Sequence, residues 1–448
     1  MLPKTSSDFK TKLKKDFRQK RTDFHQSQDK KRKYFDKKQR GLLVQNPCQC
    51  CCGTNENYKR ALKLKYSKDT SLIKEKIETH RVMLVPPEPS PSNLNYRTTV
   101  KLAVRSSDRV TFPRRNPEKS GRPKSRFLIG LFAPGTHDVM PVVNCLVQSK
   151  VINRFLEALQ EALEKSSITP WSDVTKTGDL RYLVVRSTRL TSELMLTFVV
   201  NDLRCKSQFY TIARKLSAEH GLVSCFLNVN DSLENNIWGS KTVKIMGKQH
   251  LRESMCGLSV HVSPRSFLQT NPSLAEKIYR RIELLVDSPI EKFSAVAWDL
   301  YSGIGQISMM LSRSGYRVVS IEESRSSVDD CKKNIATNAM SNHPINVING
   351  KVESILSDRS RLKGFEENPS IIVVNPSKSG LLPEVIDHFL NYKGRNLDHK
   401  IIYVSCNLAS LLRDIKLLKD GGYTLKQLES FDMFPHTNKL EWLAVLAP

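Results

Sequence analysis

Two grammars of apolar spacing divide the chain. Residues 53–80, "GTNENYKRALKLKYSKDTSLIKEKIETH", repeat apolar positions at helical spacing beneath a charged face. "MLVPPEPSPSNLNYR" then reads as a proline-rich break, and "TTVKLAVRSS" and "FLIGLFA" as short strands. Residues 150–165, "KVINRFLEALQEALEK", predict an amphipathic helix, and "LRYLVVRSTRLTSELMLTFVVND" two alternating strands around a polar turn. Further short strands run to about residue 262, so the middle region is expected to be α+β. After "SFLQTNPSLAEKIYRRIELLVD" the pattern changes. Short apolar runs ("AVAWDLYSG", "YRVVSIEES", "PINVINGKV", "PSIIVVNPS", "KIIYVSCN", "EWLAVLAP") now alternate with helical segments, which predicts an α/β, doubly wound parallel sheet.

The spacing suggests three parts: a basic, flexible arm over 1–45, a cysteine-bearing segment with a central α+β domain over 46–262, and an α/β domain over 263–448. The 448 residues suffice for several cores. No run of eighteen apolar residues occurs, and the N-terminus shows neither the apolar stretch nor the cleavage site of a secretory signal. A cytoplasmic, monomeric protein without membrane partners is expected. Charge adds a partner. The net charge is +26, and the first forty residues hold fifteen Lys and Arg against five Asp. The excess continues beyond the arm, and a polyanion such as nucleic acid explains that better than a solvated tail does.

Candidate chemistry clusters in the second half. In "VAWDLYSGIGQISMMLSRSG", Gly303 and Gly305 allow a tight turn and close approach of backbone to ligand. Glu322 ends the next strand seventeen residues after Gly305, where a carboxylate can take both hydroxyls of a ribose. Ser308 stands where a dinucleotide site prefers a third glycine, so the spacing suits S-adenosylmethionine better than NAD; a plain sheet turn is the alternative. Asn375 closes another strand, at the crevice edge of such a sheet or simply as a turn. Glu441 opens the last apolar strand, an uncommon place for a carboxylate that is neither paired nor catalytic. Cys406 sits where "YVSCN" gives out into a helix, a place where a thiol also serves as a small core residue.

Ten cysteines divide unevenly, four of them in "PCQCCCG" at Cys48, Cys50, Cys51 and Cys52. Adjacent cysteines without a secretory signal point to metal or redox chemistry more than to a disulfide framework.

Several of these strings occur together and in order: "SFLQTNP", "DLYSGIG", "VNPSKSG", "YVSCN" with "RD" beyond it, and "DMFPHTNKLE". In that combination the chain resembles the RNA uracil-C5 methyltransferases. "VNP" and "FDMFPHT" look closest to the small bacterial enzymes acting on a uridine of 23S ribosomal RNA, with transfer RNA as the alternative target. The resemblance implies a Rossmann-like domain that takes S-adenosylmethionine at Gln269, Tyr301, Glu322 and Asn375. It implies Cys406 as nucleophile and Glu441 as the base that removes the carbon 5 proton. It further implies a [4Fe-4S] cluster on Cys48, Cys51, Cys52 and Cys145, with a zinc site or no metal as alternatives. Ser377 and Lys378 stand where Pro-Arg is usual, Ser302 where cysteine is common, and Lys439 where histidine is common. Only the Ser377 and Lys378 departures would suit an assembly factor with a decayed site, and neither Ser302 nor Lys439 is expected to do the chemistry; Cys406, Glu441, Gln269 and Glu322 speak against decay.

Overall fold

The structure, a computed structural model, describes residues 57–107, 125–133, 135–142, 144–234, 236–362, 364–365, 368–393 and 399–448. The basic arm and Cys48, Cys51 and Cys52 lie outside the described residues. The chain enters through α1 (Tyr58–Lys76), whose first amides are met by the side chain of Asn57. β1 (Met83–Glu88) follows.

The central layer is a seven-stranded sheet built from β2 (Thr99–Ser106), β3 (Phe127–Phe132), β4 (Val139–Pro141), β5 (Leu180–Ser187), β6 (Leu194–Val200), β7 (Leu222–Val229) and β8 (Lys241–Gly247). Its order is β4-β3-β2-β5-β6-β7-β8. Only β6 and β7 pair in parallel, because a helix joins them. That helix, α3 (Lys206–His220), and α2 (Lys150–Glu164) cover one face. Phe155, Leu159 and Phe209 pack there against Leu102, Leu183 and Phe198, each large side chain contributing about 1.5–3 kcal/mol by leaving water. β5 and β6 are buried along their whole length instead of alternating. Their second face is covered too, by a smaller cluster of Ala103, Tyr182, Val184 and Val199 and, at Arg186, by the chain at 264–266.

A hairpin of β9 (Leu251–Met255) and β10 (Leu258–Val262) leads into the C-terminal layer. That layer contains α4 (Pro272–Leu285), β11 (Val296–Leu300), α5 (Gln306–Arg313), β12 (Arg317–Glu322), α6 (Arg325–Thr337), β13 (Ile345–Asn349) and α7 (Val352–Ser357). It continues through β14 (Ile371–Val374), α8 (Pro383–Lys393), β15 (Lys400–Ser405), α9 (Leu408–Asp420), β16 (Thr424–Phe431) and β17 (Glu441–Ala447). The sheet order is β1-β16-β17-β15-β14-β11-β12-β13, parallel from β13 to β15 with β17 reversed. β12 and β14 flank β11 on opposite sides, so the connections diverge there and open a crevice at the strands' carboxyl ends.

Two elements depart from the sequence reading. The proline-rich break is β1, paired in parallel with β16 at the edge of the C-terminal sheet. An edge strand tolerates Pro86 and Pro87 because one side of its backbone has no ladder partner, and the register shifts between Val85 and Glu88. β16 itself hides in the polar-looking "TLKQLESF". Leu62 and Ile73 of α1 are buried in the C-terminal core, so residues 58–88 contribute a helix and a strand to that layer.

Candidate active site

The antiparallel register of β15 and β17 sets Ser405 against Trp442. Continued by one step, that register would bring Cys406 opposite Glu441, whose charge acts on the thiol. Cys406 is half-buried; burial first, then the Glu441 charge, pushes its thiol up, while Lys378 and Lys439 pull it back. Glu441 is 2% exposed, its Oε2 has no hydrogen-bond partner among the described residues, and burial pushes its carboxyl up to about 8. That burial disfavours the charged form, so at neutral pH the carboxyl is mostly protonated. A polarisable nucleophile beside an unpaired carboxyl can form a covalent bond and move a proton at adjacent atoms.

The nucleophile loop is tied to its neighbour by backbone bonds. Asn407 caps α9 by accepting from the Ala409 amide at 3.3 Å, and its Nδ2 donates to the Lys378 carbonyl at 2.8 Å. Arg413 donates to the carbonyls of Ser379 and Leu381 at 2.9 and 3.0 Å. Asp414 accepts from the Leu381 amide and the Tyr403 hydroxyl, both at 2.8 Å. Gly380 has φ +80°, and a Cβ there would meet Asp414 Oδ2 at 2.5 Å. These contacts fix the loop through main chain, so Ser377 and Lys378 fit without the usual Pro-Arg. Lys378 keeps the charge of the usual arginine without its planar fork, and its charge and that of Lys439 act on the thiol.

The crevice holds three of the four residues singled out for a cofactor. Tyr301 leaves β11 with φ +63°. Glu322 ends β12, its Oε2 accepting from the Gly303 amide at 2.9 Å and its Oε1 from Ser324 at 2.8 Å. Asn375 follows β14, and its amide donates to the Leu300 carbonyl at 3.4 Å. Gln269 is 7% exposed on the segment entering α4; among the described residues no hydrogen bond joins it to the other three. Gly305, at φ +81°, packs so closely on α6 that a Cβ would lie 2.2 Å from Cys331 Sγ. Ser308 has its own explanation. Its hydroxyl donates at 2.6 Å to Asp299, a buried carboxyl that burial pushes up to about 7. That Asp299–Ser308 pair under the glycine turn was missed, because the acid lies inside an apolar run with nothing to mark it.

The sequence pattern of a family described as tRNA (Uracil-5-)-methyltransferase matches residues 124–447. The chain belongs to that family. It is 28% identical over 412 residues to an uncharacterized RNA methyltransferase of Oceanobacillus iheyensis, covering 90% of this chain and 83% of that one. It is 30% identical over 327 residues to another of Caldanaerobacter subterraneus, covering 71% and 68%. The fold matches the crystal structure of Pyrococcus abyssi tRNA (uracil-54, C5)-methyltransferase with S-adenosyl-L-homocysteine, with a TM-score of 0.66 and 23% identity over 90% and 87% of the two chains.

In this uracil-5-methyltransferase chain, the strand carrying Glu441 is braced from the N-terminal helix. Lys65 of α1 reaches Asp432 at 2.5 Å and the carbonyls of Phe434 and Lys439 at 3.1 and 3.3 Å, spanning the loop ahead of Glu441. Tyr66 stacks on Trp442 at 6.4 Å, whose Nε1 donates to Asp69 at 3.3 Å. Lys65 was one basic residue among many on a charged helix, and no local signal distinguished it. Lys65→Met strands a fully buried Asp432 carboxylate, so stability in urea should fall by ~3–5 kcal/mol. Adding Asp432→Asn should return most of that loss; a double mutant no better than the single would show that the pair is not coupled.

Cys145 is 3% exposed, packed with Tyr96 and Val147. Among the described residues no three His, Cys, Asp or Glu side chains group as metal ligands, and no helix there is long and apolar enough to cross a membrane.

Proposed function

We propose that the protein transfers a methyl group from S-adenosylmethionine to carbon 5 of a uridine in ribosomal RNA, by way of a covalent bond between Cys406 and carbon 6. The observation that carries this is the Cys406 thiol under the charge of a buried Glu441, one of whose oxygens has no partner among the described residues. Carbon 5 of uracil is too weakly nucleophilic to take a methyl group directly. Attack of the Cys406 thiolate on carbon 6 forms the S–C6 bond and pushes the ring's electrons into an enolate. Carbon 5 then displaces the methyl, and the S–CH₃ bond of the sulfonium breaks to leave S-adenosylhomocysteine. Glu441, as carboxylate, takes the carbon 5 proton; the C5–C6 double bond re-forms and the thiolate departs. Lys378 and Lys439 favour the thiolate. Tyr301, Glu322, Asn375 and Gln269 would hold the donor.

The ribosomal target rests on the strings "VNP" and "FDMFPHT". A second reading, a transfer-RNA uridine, is favoured by the family's description and by the Pyrococcus abyssi enzyme of similar fold. Mapping 5-methyluridine in both RNAs of a deletion strain separates them. Loss of a ribosomal 5-methyluridine supports the first reading, and loss of one in transfer RNA the second. The setting is cytoplasmic, and the working unit a monomer.

An iron–sulfur cluster remains part of the proposal, with Cys145 as the described ligand beside Cys48, Cys51 and Cys52. Cys145 lines a basic cavity of the central layer, so a cluster held there would compete with any other anion for that space, and no step of methyl transfer passes through the cluster. Anaerobically purified protein should be brown with roughly four irons per chain, and Cys145→Ser should bleach it. Colourless, iron-free protein would remove the cluster.

A further inference from the structure

A cavity of about 310 Å³ opens beside the active-site segments, between β2 and β5 of the central sheet and the chain at 265–270. Thr437, on the loop ahead of Glu441, closes one side; neither Cys406, Glu441, Glu322 nor Asn375 lines it. Four cations do: Arg97, Lys101, Arg186 and Arg265. No aspartate or glutamate is among the lining residues.

Several buried polar atoms of the lining residues are short of partners among the described residues. Arg186 is 5% exposed; its Nη2 donates to the carbonyls of Pro264, at 3.3 Å, and Ser266, which anchors the 264–266 chain to the sheet. Among the described residues its Nε and Nη1 have no partner, and neither do Arg97 Nε, Gln148 Oε1, Ser266 Oγ and Thr270 Oγ1. Burial pushes the Arg186 guanidinium down to about 10, which leaves it charged at neutral pH. Water can wet such a space, but it cannot neutralise charges held at one wall. A second basic cavity, of about 230 Å³, makes the contrast. There Arg105, Arg181 and Lys176 share the walls with Asp173 and Glu234, and Arg105 meets Asp173 at 2.6 Å. One basic cavity carries carboxylates in its own lining; the other has none among its described lining residues, and the charge acting on its Arg186 comes from Asp330 outside the lining.

We propose that the unpaired cavity seats a backbone phosphate of the RNA beside the target uridine, gripped by Arg97 and Arg186. A phosphodiester supplies negative charge against the four lining cations, and guanidinium forks suit phosphate oxygens. Gln148 Nε2 and the Ser266 and Thr270 hydroxyls supply neutral donors around it. The position, next to the segment bearing Gln269 and the loop leading to Glu441, makes this contact one of register: it sets which nucleotide reaches the thiol and carries no base information itself. The inference rests on the RNA reading given above.

The test replaces phosphates of a ribosomal RNA fragment, one at a time, with neutral methylphosphonates. It compares wild type with Gln148→Glu, which places a carboxylate inside the cavity at nearly unchanged shape. One or two linkages flanking the target should cost the wild type about tenfold in kcat/KM and in filter-binding affinity. In Gln148→Glu the same linkages should cost twofold or less, with overall RNA affinity already reduced about tenfold. Arg97→Gln, a half-buried position, should repeat the pattern if Gln148→Glu does not fold. Interference that is absent, or equal in wild type and variants, overturns the cavity assignment and leaves the methyltransferase reading intact. A wild type that binds RNA with this interference pattern but methylates no uridine overturns that reading and leaves the cavity standing.

Discussion

Cys406→Ala is expected to lower methyl transfer by ~10⁴-fold or more while leaving S-adenosylmethionine affinity within about twofold. The asymmetry follows from place. Cys406 lies beyond the end of β15, where the Glu441 charge acts on it, whereas the residues expected to hold the donor lie at the ends of β11, β12 and β14 and on the segment before α4. In the proposed mechanism, removing the thiol removes the activation of carbon 5 and leaves the residues expected to hold the donor in place. Single-turnover transfer with labelled donor, beside equilibrium dialysis of the donor alone, separates the two quantities. Turnover within tenfold of wild type would exclude the thiol as nucleophile.

Glu441→Gln should fail at a later point. A glutamine of the same shape still permits attack and methyl transfer, but it cannot take the carbon 5 proton, so a protein–RNA species resistant to denaturing gels should accumulate. In wild type, release of methylated RNA should rise with pH and level off above about 8, the region where Glu441 loses its proton; Glu441→Gln should lack that rise. The same shift acts on folding with the opposite benefit. A carboxyl with its pKa raised in the folded state binds its proton more tightly there, so its contribution to stability declines as pH climbs from the ordinary carboxylate range through about 8. Glu441→Gln removes that decline, and the variant should gain on wild type in urea unfolding at pH 9 relative to pH 6. An inactive variant without trapped adduct would assign Glu441 to positioning instead.

Much of the C-terminal layer was legible because parallel strands buried on both faces are nearly continuous apolar runs, and their polar ends stand out. Cys406, Glu322, Asn375 and Glu441 each sit where such a run starts or stops. β1 was illegible for the reverse reason: its prolines signal a break, and only the edge position beside β16 makes them tolerable. Lys65 and Arg186 were hidden by a surplus of like residues. In a chain with 71 Lys and Arg, identity alone cannot mark the one that spans a loop 367 residues away or lines a cavity without an anion. Lys378 was legible as a retained charge without the arginine fork, whereas the nearness of Lys439 to the thiol was not, because nothing in the sequence places it there.

RNA containing 5-fluorouridine, incubated with S-adenosylmethionine and the protein, addresses the covalent mechanism most directly. Fluorine at carbon 5 cannot be removed as a proton, so the reaction should stop after methyl transfer with the nucleotide still bonded to sulfur. Digestion and tandem mass spectrometry should find a methylated fluorouridine on the peptide containing Cys406, and none with Cys406→Ala. Methyl transfer to ordinary RNA without any such adduct, or an adduct on a different residue, would contradict attack by Cys406 on carbon 6.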